Sequence, residues 1–400
     1  MVVALICGGG NGAHVCAGIA ASQPGVEARV LTLFADEAER WTKAMACNDF
    51  VVTVNSKGKA PTELKAKPTV VSKKAADVMS GVDIIVLMVP AFAHTGYLEE
   101  LKPLMKPGMV LVGCPGQAGF EFAVRGILGD LARHVSLLSF ESLPWACRML
   151  EFGKKSEVLA TKGSLTGALQ LGDPAPAVDP TAMLQQVLGE APKLITKGHL
   201  LGITLMGTNG YLHPSIMFGF WSHWDGKPLE QSPLFYNGVD RFSAGVLSSV
   251  SDEVVAIAKA VMQQRPQVDL NNVTHIVDWY RRCYANDITD PTDLYSCIQT
   301  NNAYNGLTHP CEQTSNGRFV PNYRYRYLTE DIPFGLVVMR GIATLAGVAT
   351  PSMDKVITWA QGCLGKEYLV GDQLTGKDIP ATRCPQAYNL PCLDTILGLA

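Results

Sequence analysis

The sequence predicts an α/β chain with an N-terminal Rossmann doubly wound sheet, residues 1–180, followed by a mainly α-helical domain, residues 181–400. Three observations carry that expectation. An apolar run, Val2–Cys7, breaks into Gly8-Gly9-Gly10-Asn11-Gly12-Ala13, and an Ala-rich segment and a second apolar run, Ala28–Phe34, follow it. That order reads strand, tight turn, helix, strand. Apolar runs then alternate with helix-length segments as far as Phe140, the pattern of a parallel sheet covered on both faces. Beyond about Thr181 helical spacing takes over.

Taken in order, Gly8, Gly10 and Ala13 stand at G-x-G-x-x-A spacing. The first glycine allows the sharp turn, the second lets a pyrophosphate approach the backbone, and the small third residue lets helix pack on strand. Asn11 and Gly12 open the helix, whose N–H groups and positive dipole end would face the phosphates. A carboxylate after the second strand accepts from an adenosine ribose and repels a 2′-phosphate. Asp36 is the candidate, with backbone contacts at Phe34 or Ala35 sharing the work; Arg40, one turn on, would instead greet a phosphate. NAD(H) is therefore expected over NADP(H). The plain alternative is a glycine-rich turn without a ligand.

Phe50–Val54 reads as a strand and the Lys-rich passage to Ser72 as a hairpin. A helix over Ala75–Ser80 leads into the apolar run Val82–Val89, which stops at Pro90. A helix over Thr95–Leu104, a strand over Met109–Gly113, a helix over Phe120–Leu131 and a strand over His134–Phe140 follow, and Glu151–Leu171 adds edge strands. Ligands of doubly wound sheets collect at the carboxyl ends of strands. Candidate contacts are thus Pro90 and Phe92 for a cofactor, and the loops holding Gln117 and Glu141. In the second half helices are predicted at Met183–Leu188, Leu194–Thr208, Phe242–Met262, Val273–Tyr284, Ile332–Ala346 and Asp354–Cys363. The long aromatic loops Trp221–Tyr236 and Thr308–Tyr327 lean towards function.

Four hundred residues, 47% hydrophobic, suffice for two cores. A net charge of -3 leaves no footprint for nucleic acid or an anionic membrane surface. Val2–Cys7 is too short for a signal peptide, and no stretch approaches the ~18 apolar residues of a membrane span. The eleven cysteines are odd in number and include no C-x-x-C pair, against both a disulfide framework and a zinc site. A reduced, cytoplasmic protein without a metal is expected.

His213 sits in an apolar run interrupted by glycines and Pro214. Proline removes a helical hydrogen bond, so the imidazole would project from a kink; a core histidine bonded to a carbonyl is an equal alternative. In Arg324–Phe334, Asp331 either caps the next helix or orients His213, and Arg326 would fork onto a carboxylate.

The stretches Cys7–His14, Leu31–Trp41, Val89–His94, Ser139–Arg148, His213-Pro214 and Arg326–Pro333 together resemble the opine dehydrogenases of the octopine and tauropine type, nearly end to end. The resemblance implies a Rossmann domain joined to a helical domain, with substrates in the cleft between, and NADH-dependent condensation of pyruvate with an amino acid. It implies His213 as the acid/base, Asp331 as its partner and Arg326 on the keto-acid carboxylate. Gln117, Glu141 and Trp279 would lie around the amino-acid pocket, with core packing the alternative for Trp279 and a capping-type loop acid the alternative for Glu141. Partners would be pyruvate and an amino acid, in a monomer or weak oligomer, without nucleic acid or membrane. Glu141 suits arginine. Gly207, Thr208, Asn209 and Gly210 stand where octopine-type relatives look bulkier, and suit the sulfonate of taurine; alanine and glycine stay open. The rivals are a keto-acid or hydroxy-acid dehydrogenase of ketopantoate-reductase-like type, using Lys193 or Lys197, and a non-catalytic NAD(H)-binding protein.

Overall fold

In the computed structural model, which describes residues 1–56, 58 and 60–399, the opening apolar run forms strand β1 (Val2–Cys7) inside a large sheet. Helix α1 (Asn11–Ser22), strand β2 (Val26–Leu31) and helix α2 (Glu37–Cys47) follow. A hairpin, β3 (Val51–Val54) and β4 (Thr62–Lys65), precedes β5 (Val70–Ser72), β6 (Ile84–Leu87) and α3 (Ala91–Leu101). Then come β7 (Val110–Gly113), α4 (Phe120–Leu128), β8 (Ser136–Phe140), β9 (Trp145–Glu151), β10 (Lys155–Thr161) and β11 (Ser164–Gln170). Helix α5 (Pro180–Leu188) and β12 (Lys193–Thr196) complete this first unit, Met1–Ile203. Lys57 and Lys59, within the expected hairpin, lie outside the described residues.

Among the described residues, eight strands form one sheet in the order β12-β11-β8-β7-β6-β1-β2-β5. From β5 to β8 neighbouring strands are parallel, and β11 turns antiparallel to β8. The chain leaves β1 on one side for β2 and returns on the other for β6, so strand order reverses between β1 and β6. Strands β6 and β7 are buried throughout, which is why their sequence is continuously apolar rather than alternating.

Several expectations are corrected here. The segment 151–171 does not simply edge the large sheet. Strand β10 pairs with β3 in a second sheet, β4-β3-β10-β9, and β11 lies inside the large sheet because β12 adds beyond it. That pairing carries the first unit past residue 180. It also splits the expected helix 194–208 into β12 and the short α6 (Leu200–Leu205), with Gly198 at φ 66° between them. The expected helix at 75–80 is one 3-10 turn, Ala75–Asp77.

The second unit, Thr204–Ala400, is mainly helical. It holds α7 (Asn209–Trp221), α8 (Arg241–Gln264), α9 (Ile276–Cys283), α10 (Leu294–Gln299) and a small ribbon, β13 (Cys311–Gln313) with β14 (Phe319–Pro321). Helix α11 (Arg326–Thr329), a π-helical turn at Ile332–Leu336, α12 (Val337–Ala346), α13 (Pro351–Leu364) and α14 (Leu393–Leu397) follow. Helix α8 shows a one-sided buried stripe, Leu247, Val250, Val254, Ile257 and Val261, and Asp240 caps it by accepting from the Ser243 N–H at 2.7 Å. Helix α7 is buried nearly all round, so no amphipathic period marks it. No helix among the described residues is long and apolar enough to cross a membrane.

His14 pins α1 in place. Its ring stacks on Trp41 at 3.7 Å, Nδ1 donates to the Gly10 carbonyl, and Nε2 accepts from the Gly153 N–H at 3.1 Å. Only the neutral ring can make both bonds, and burial lowers its pKa to about 4. A folded pKa below the unfolded value of 6.5 adds stability above that pH, and the gain is lost as pH falls towards 4. It amounts to about 3 kcal/mol. Urea denaturation between pH 7 and pH 4 should therefore weaken the wild type more steeply than His14→Gln; parallel curves would dismiss the linkage.

Candidate active site

Gly8 leaves β1 at φ 126°, and a Cβ there would lie 2.8 Å from Val89 Cγ1 and 2.9 Å from the Met88 carbonyl oxygen. The turn after β1 and the segment after β6 thus pack directly, where strand order reverses. Gly10 caps α1 without a side-chain acceptor, and the first turn carries no acidic residue. Nothing lies within 4 Å of where a Gly10 Cβ would be. Open space before helix N–H groups is what a pyrophosphate requires. Ala13 is fully buried, Gly12 faces Leu143, and Asn11 Oδ1 accepts from the Met149 N–H at 2.9 Å, tying the turn to β9.

The other first-unit candidates also follow carboxyl ends of parallel strands. Past β2, Phe34 is 74% exposed, Ala35 takes φ 44°, and Asp36 pairs loosely with Arg40 at 3.6 Å in solvent. The next acid, Glu37, turns inward and accepts from the Thr32 hydroxyl. Pro90 caps α3, and Phe92 in its first turn is 65% exposed. Gln117 takes φ 60° after β7. Glu141 is exposed after β8, its N–H donating to the Thr166 carbonyl at 3.2 Å. An open helix N-terminus, a close glycine turn and exposed aromatic rings fit a dinucleotide. Lys193 and Lys197, which a ketopantoate-reductase-like reading would need, are exposed on and just past edge strand β12.

In the second unit His213 and Asp331, 118 residues apart, meet at 2.7 Å through Nδ1 and Oδ2. A carboxylate accepts, so Nδ1 carries the proton and Nε2 accepts from the Tyr236 hydroxyl at 3.0 Å. Burial pushes the Asp331 carboxyl above the usual carboxylate range, against the pull of its bond to His213. The Tyr327 ring stacks on the imidazole at 3.8 Å and 18°, and Phe235 meets it edge-on at 5.9 Å.

Local sequence explains this meeting. Helix α7 continues through Pro214, although Pro214 offers no N–H to the Gly210 carbonyl. At Gly210 it touches the π-helical turn: a Cβ on Gly210 would sit 2.7 Å from Gly335 Cα, and one on Gly335 2.4 Å from Gly210 Cα. The turn is closed by the Leu336 N–H donating five residues back to the Asp331 carbonyl at 2.9 Å. Asp331 makes no capping bond there, since its carboxylate is directed at His213.

Arg326 opens α11 with its side chain half exposed, 3.4 Å from Glu330. Asn209 is exposed at the start of α7. Trp279 is half-buried on α9, against Tyr280 and Tyr284 at 5.2 and 5.6 Å. From it an aromatic series runs through Tyr284 and Tyr304 to Tyr236, with centroid spacings of 5.1 and 3.9 Å. Sequence reasoning passes over Tyr236 and Tyr327. Tyr327 lies inside the Arg324–Phe334 cluster, and Tyr236 closes a loop already marked by its length and aromatic content.

A phosphate-ready glycine turn on a doubly wound sheet, with a buried histidine–carboxylate pair in a helical unit, defines a dinucleotide-dependent oxidoreductase. A family model described as "NAD/NADP octopine/nopaline dehydrogenase, alpha-helical domain" matches residues 196–364. Tauropine dehydrogenase of Arabella iricolor is 56% identical over 397 residues, 99% of this chain and 100% of that relative. Octopine dehydrogenase with NADH and L-arginine superposes at TM-score 0.96 and 49% identity, covering 100% of this chain and 98% of the other. The same enzyme with NADH and pyruvate gives 0.93 at 48% identity, with the same coverage. The chain belongs to the opine dehydrogenase family.

The Gly210–Gly335 contact yields a direct test. Gly335→Ala must part α7 from the π-helical turn, destabilising the fold by about 1–3 kcal/mol and lowering turnover by about tenfold or more as His213 and Asp331 separate. Gly362→Ala, in open space on α13, is the control and should leave both unharmed. Melting temperatures and initial rates decide it; a Gly335→Ala enzyme matching the control would show that the close approach is dispensable.

Proposed function

We propose that this chain condenses pyruvate reductively with the amino group of an amino acid, using NADH, and runs the reaction in both directions. One observation carries the reading: His213 presents its proton on Nδ1 to Asp331, which leaves Nε2 as the basic nitrogen. Membership of the opine dehydrogenase family supports the substrate class.

The attacking amine must be neutral, and His213 takes the proton that the ammonium loses. Asp331 steadies the resulting imidazolium. The amine nitrogen then bonds to C2 of pyruvate, the carbonyl electron pair moves onto oxygen, and that oxygen takes up the proton that the attacking nitrogen sheds. His213 returns its proton to that hydroxyl, which leaves as water while the nitrogen lone pair closes the protonated imine. Bound NADH supplies the hydride for the imine carbon. Arg326 forks onto the pyruvate carboxylate and fixes its position, which removes translational and rotational freedom from the step. Gly8, Gly10, Asn11, Gly12 and Ala13 hold the pyrophosphate, Phe34, Ala35 and Asp36 the adenosine side, and Pro90 and Phe92 the segment beside them. Asn209 and Trp279 are the second unit's contacts to the amino acid, and Gln117 and Glu141 those of the first.

For that amino acid we favour taurine. Asn209, exposed at the start of α7 among Gly207, Thr208 and Gly210, leaves room and an amide donor for a sulfonate. Arginine is the second reading, since the exposed Glu141 carboxylate suits a guanidinium.

His213→Ala and Asp331→Ala should each lower turnover by about two orders of magnitude or more with NADH affinity little changed; near-normal rates in either would remove the assignment. Arg326→Lys should chiefly raise the pyruvate KM, because lysine lacks the fork. Initial rates with pyruvate, NADH and each of taurine, arginine, alanine, glycine and lysine should be highest with taurine. NADH oxidation with a keto acid and no amine would instead favour a hydroxy-acid dehydrogenase.

A further inference from the structure

His213 presents no bare nitrogen. Asp331 occupies Nδ1, the Tyr236 hydroxyl occupies Nε2, and Tyr327 covers one face of the ring. We infer that Tyr236 is a catalytic residue, through whose hydroxyl oxygen His213 exchanges its proton with the substrate. The inference rests on the reading of His213 as the acid/base and extends it by one atom.

Two observations support it. Tyr236 has little freedom to move aside: its ring stacks on Tyr304 at 3.9 Å and 18°, Phe235 packs edge-on at 4.7 Å, and the Phe235 N–H donates to the Leu307 carbonyl at 2.8 Å. The imidazole itself is closed off: it is 5% exposed, both ring nitrogens are bonded, and Tyr327 covers one face. A hydroxyl is the side-chain group suited to such a position, being donor and acceptor at once.

The step balances without a phenolate. As the substrate ammonium gives a proton to the Tyr236 oxygen, the hydrogen already on that oxygen moves to Nε2. The phenol is neutral before and after, the amine is left neutral, and the ring becomes an imidazolium against Asp331. In the dehydration the path reverses: Nε2–H returns its proton to the Tyr236 oxygen while the Tyr236 hydrogen passes to the departing oxygen, which leaves as water. Burial, reinforced by Tyr327 and Tyr280, pushes ionisation of this phenol far above the ordinary tyrosine range, consistent with a hydroxyl that passes protons and never holds the charge.

Tyr236→Phe keeps the ring and its stack and removes only the oxygen. Its kcat should fall by about a hundredfold, in condensation and in the reverse oxidation alike, while the pyruvate KM and NADH affinity stay at wild-type values. Tyr304→Phe, which takes a hydroxyl from a half-buried member of the same aromatic series, is the control and should turn over normally. Tyr236→Phe at the wild-type rate, with His213→Ala inactive, would overturn the relay and leave the histidine assignment standing. Equal losses in Tyr236→Phe and Tyr304→Phe would reduce the hydroxyl to packing and also overturn it. An active His213→Ala would instead remove the underlying reading.

Discussion

Gly210 and Gly335 bring two backbones so close that neither position has room for a Cβ, and the two segments joined there carry the buried His213–Asp331 pair. His213 lies about one helical turn beyond Gly210, and Asp331 lies four residues before Gly335. Pressing the backbones together brings the imidazole and carboxylate within hydrogen-bond reach, although 118 residues separate them in the chain. The π-helical turn contributes the aim. Its extra residue per turn rotates what precedes it, so Asp331 faces α7 instead of capping its own helix. Pro214 fits the same arrangement, because the Gly210 carbonyl it leaves without a helical donor is on the side of α7 facing Gly335.

The electrostatics of that pair become legible beside two other buried histidines. His14 stacks on Trp41, and burial holds it neutral with a pKa of about 4. His309 accepts from the Trp221 indole N–H at 3.0 Å, and burial lowers it to about 3. Both are what a core histidine looks like: ring nitrogens bonded only to neutral partners, and the charged form disfavoured by desolvation. His213 is buried as well, yet its Nδ1 faces a carboxylate. A carboxylate next to a buried imidazole gives the protonated ring a counter-charge that His14 and His309 lack. The proposed proton-transfer role of His213 rests on this difference rather than on burial. The difference favours the functional alternative that the run around Pro214 left open.

The first unit was legible in the sequence because its constraints are local. A strand that must turn sharply against Met88 and Val89 requires glycine at position 8, and the requirement is written where it acts. The same holds for the buried strands, whose continuous apolar runs follow from two covered faces. The sequence is mute where partners are distant in the chain. Nothing in Lys193–Thr196 says that this stretch will pair with Ser164–Gly167, and only that pairing makes it a strand. Helix α7 gave the opposite difficulty. Enclosed on nearly every side, it has no polar face to set a period, and its proline suggested a break that surrounding packing overrides.

The site divides along the same line. Asp331 and Arg326 were visible as a charged cluster before a helix, but their distance from His213 could come only from resemblance, since no spacing rule connects positions so far apart. Tyr236 shows why even resemblance falls short. A phenol near a loop's end carries no signature of what its hydroxyl meets, and a packing tyrosine and a proton-passing one share the same sequence context. They differ in which atom the oxygen reaches. Tyr280 and Tyr304 belong to the same aromatic series as Tyr236, and burial raises the ionisation of all three phenols. Burial therefore cannot mark the functional member. The 3.0 Å contact with the imidazole nitrogen that Asp331 leaves basic is what distinguishes Tyr236, and a contact of that kind exists only once the chain has folded.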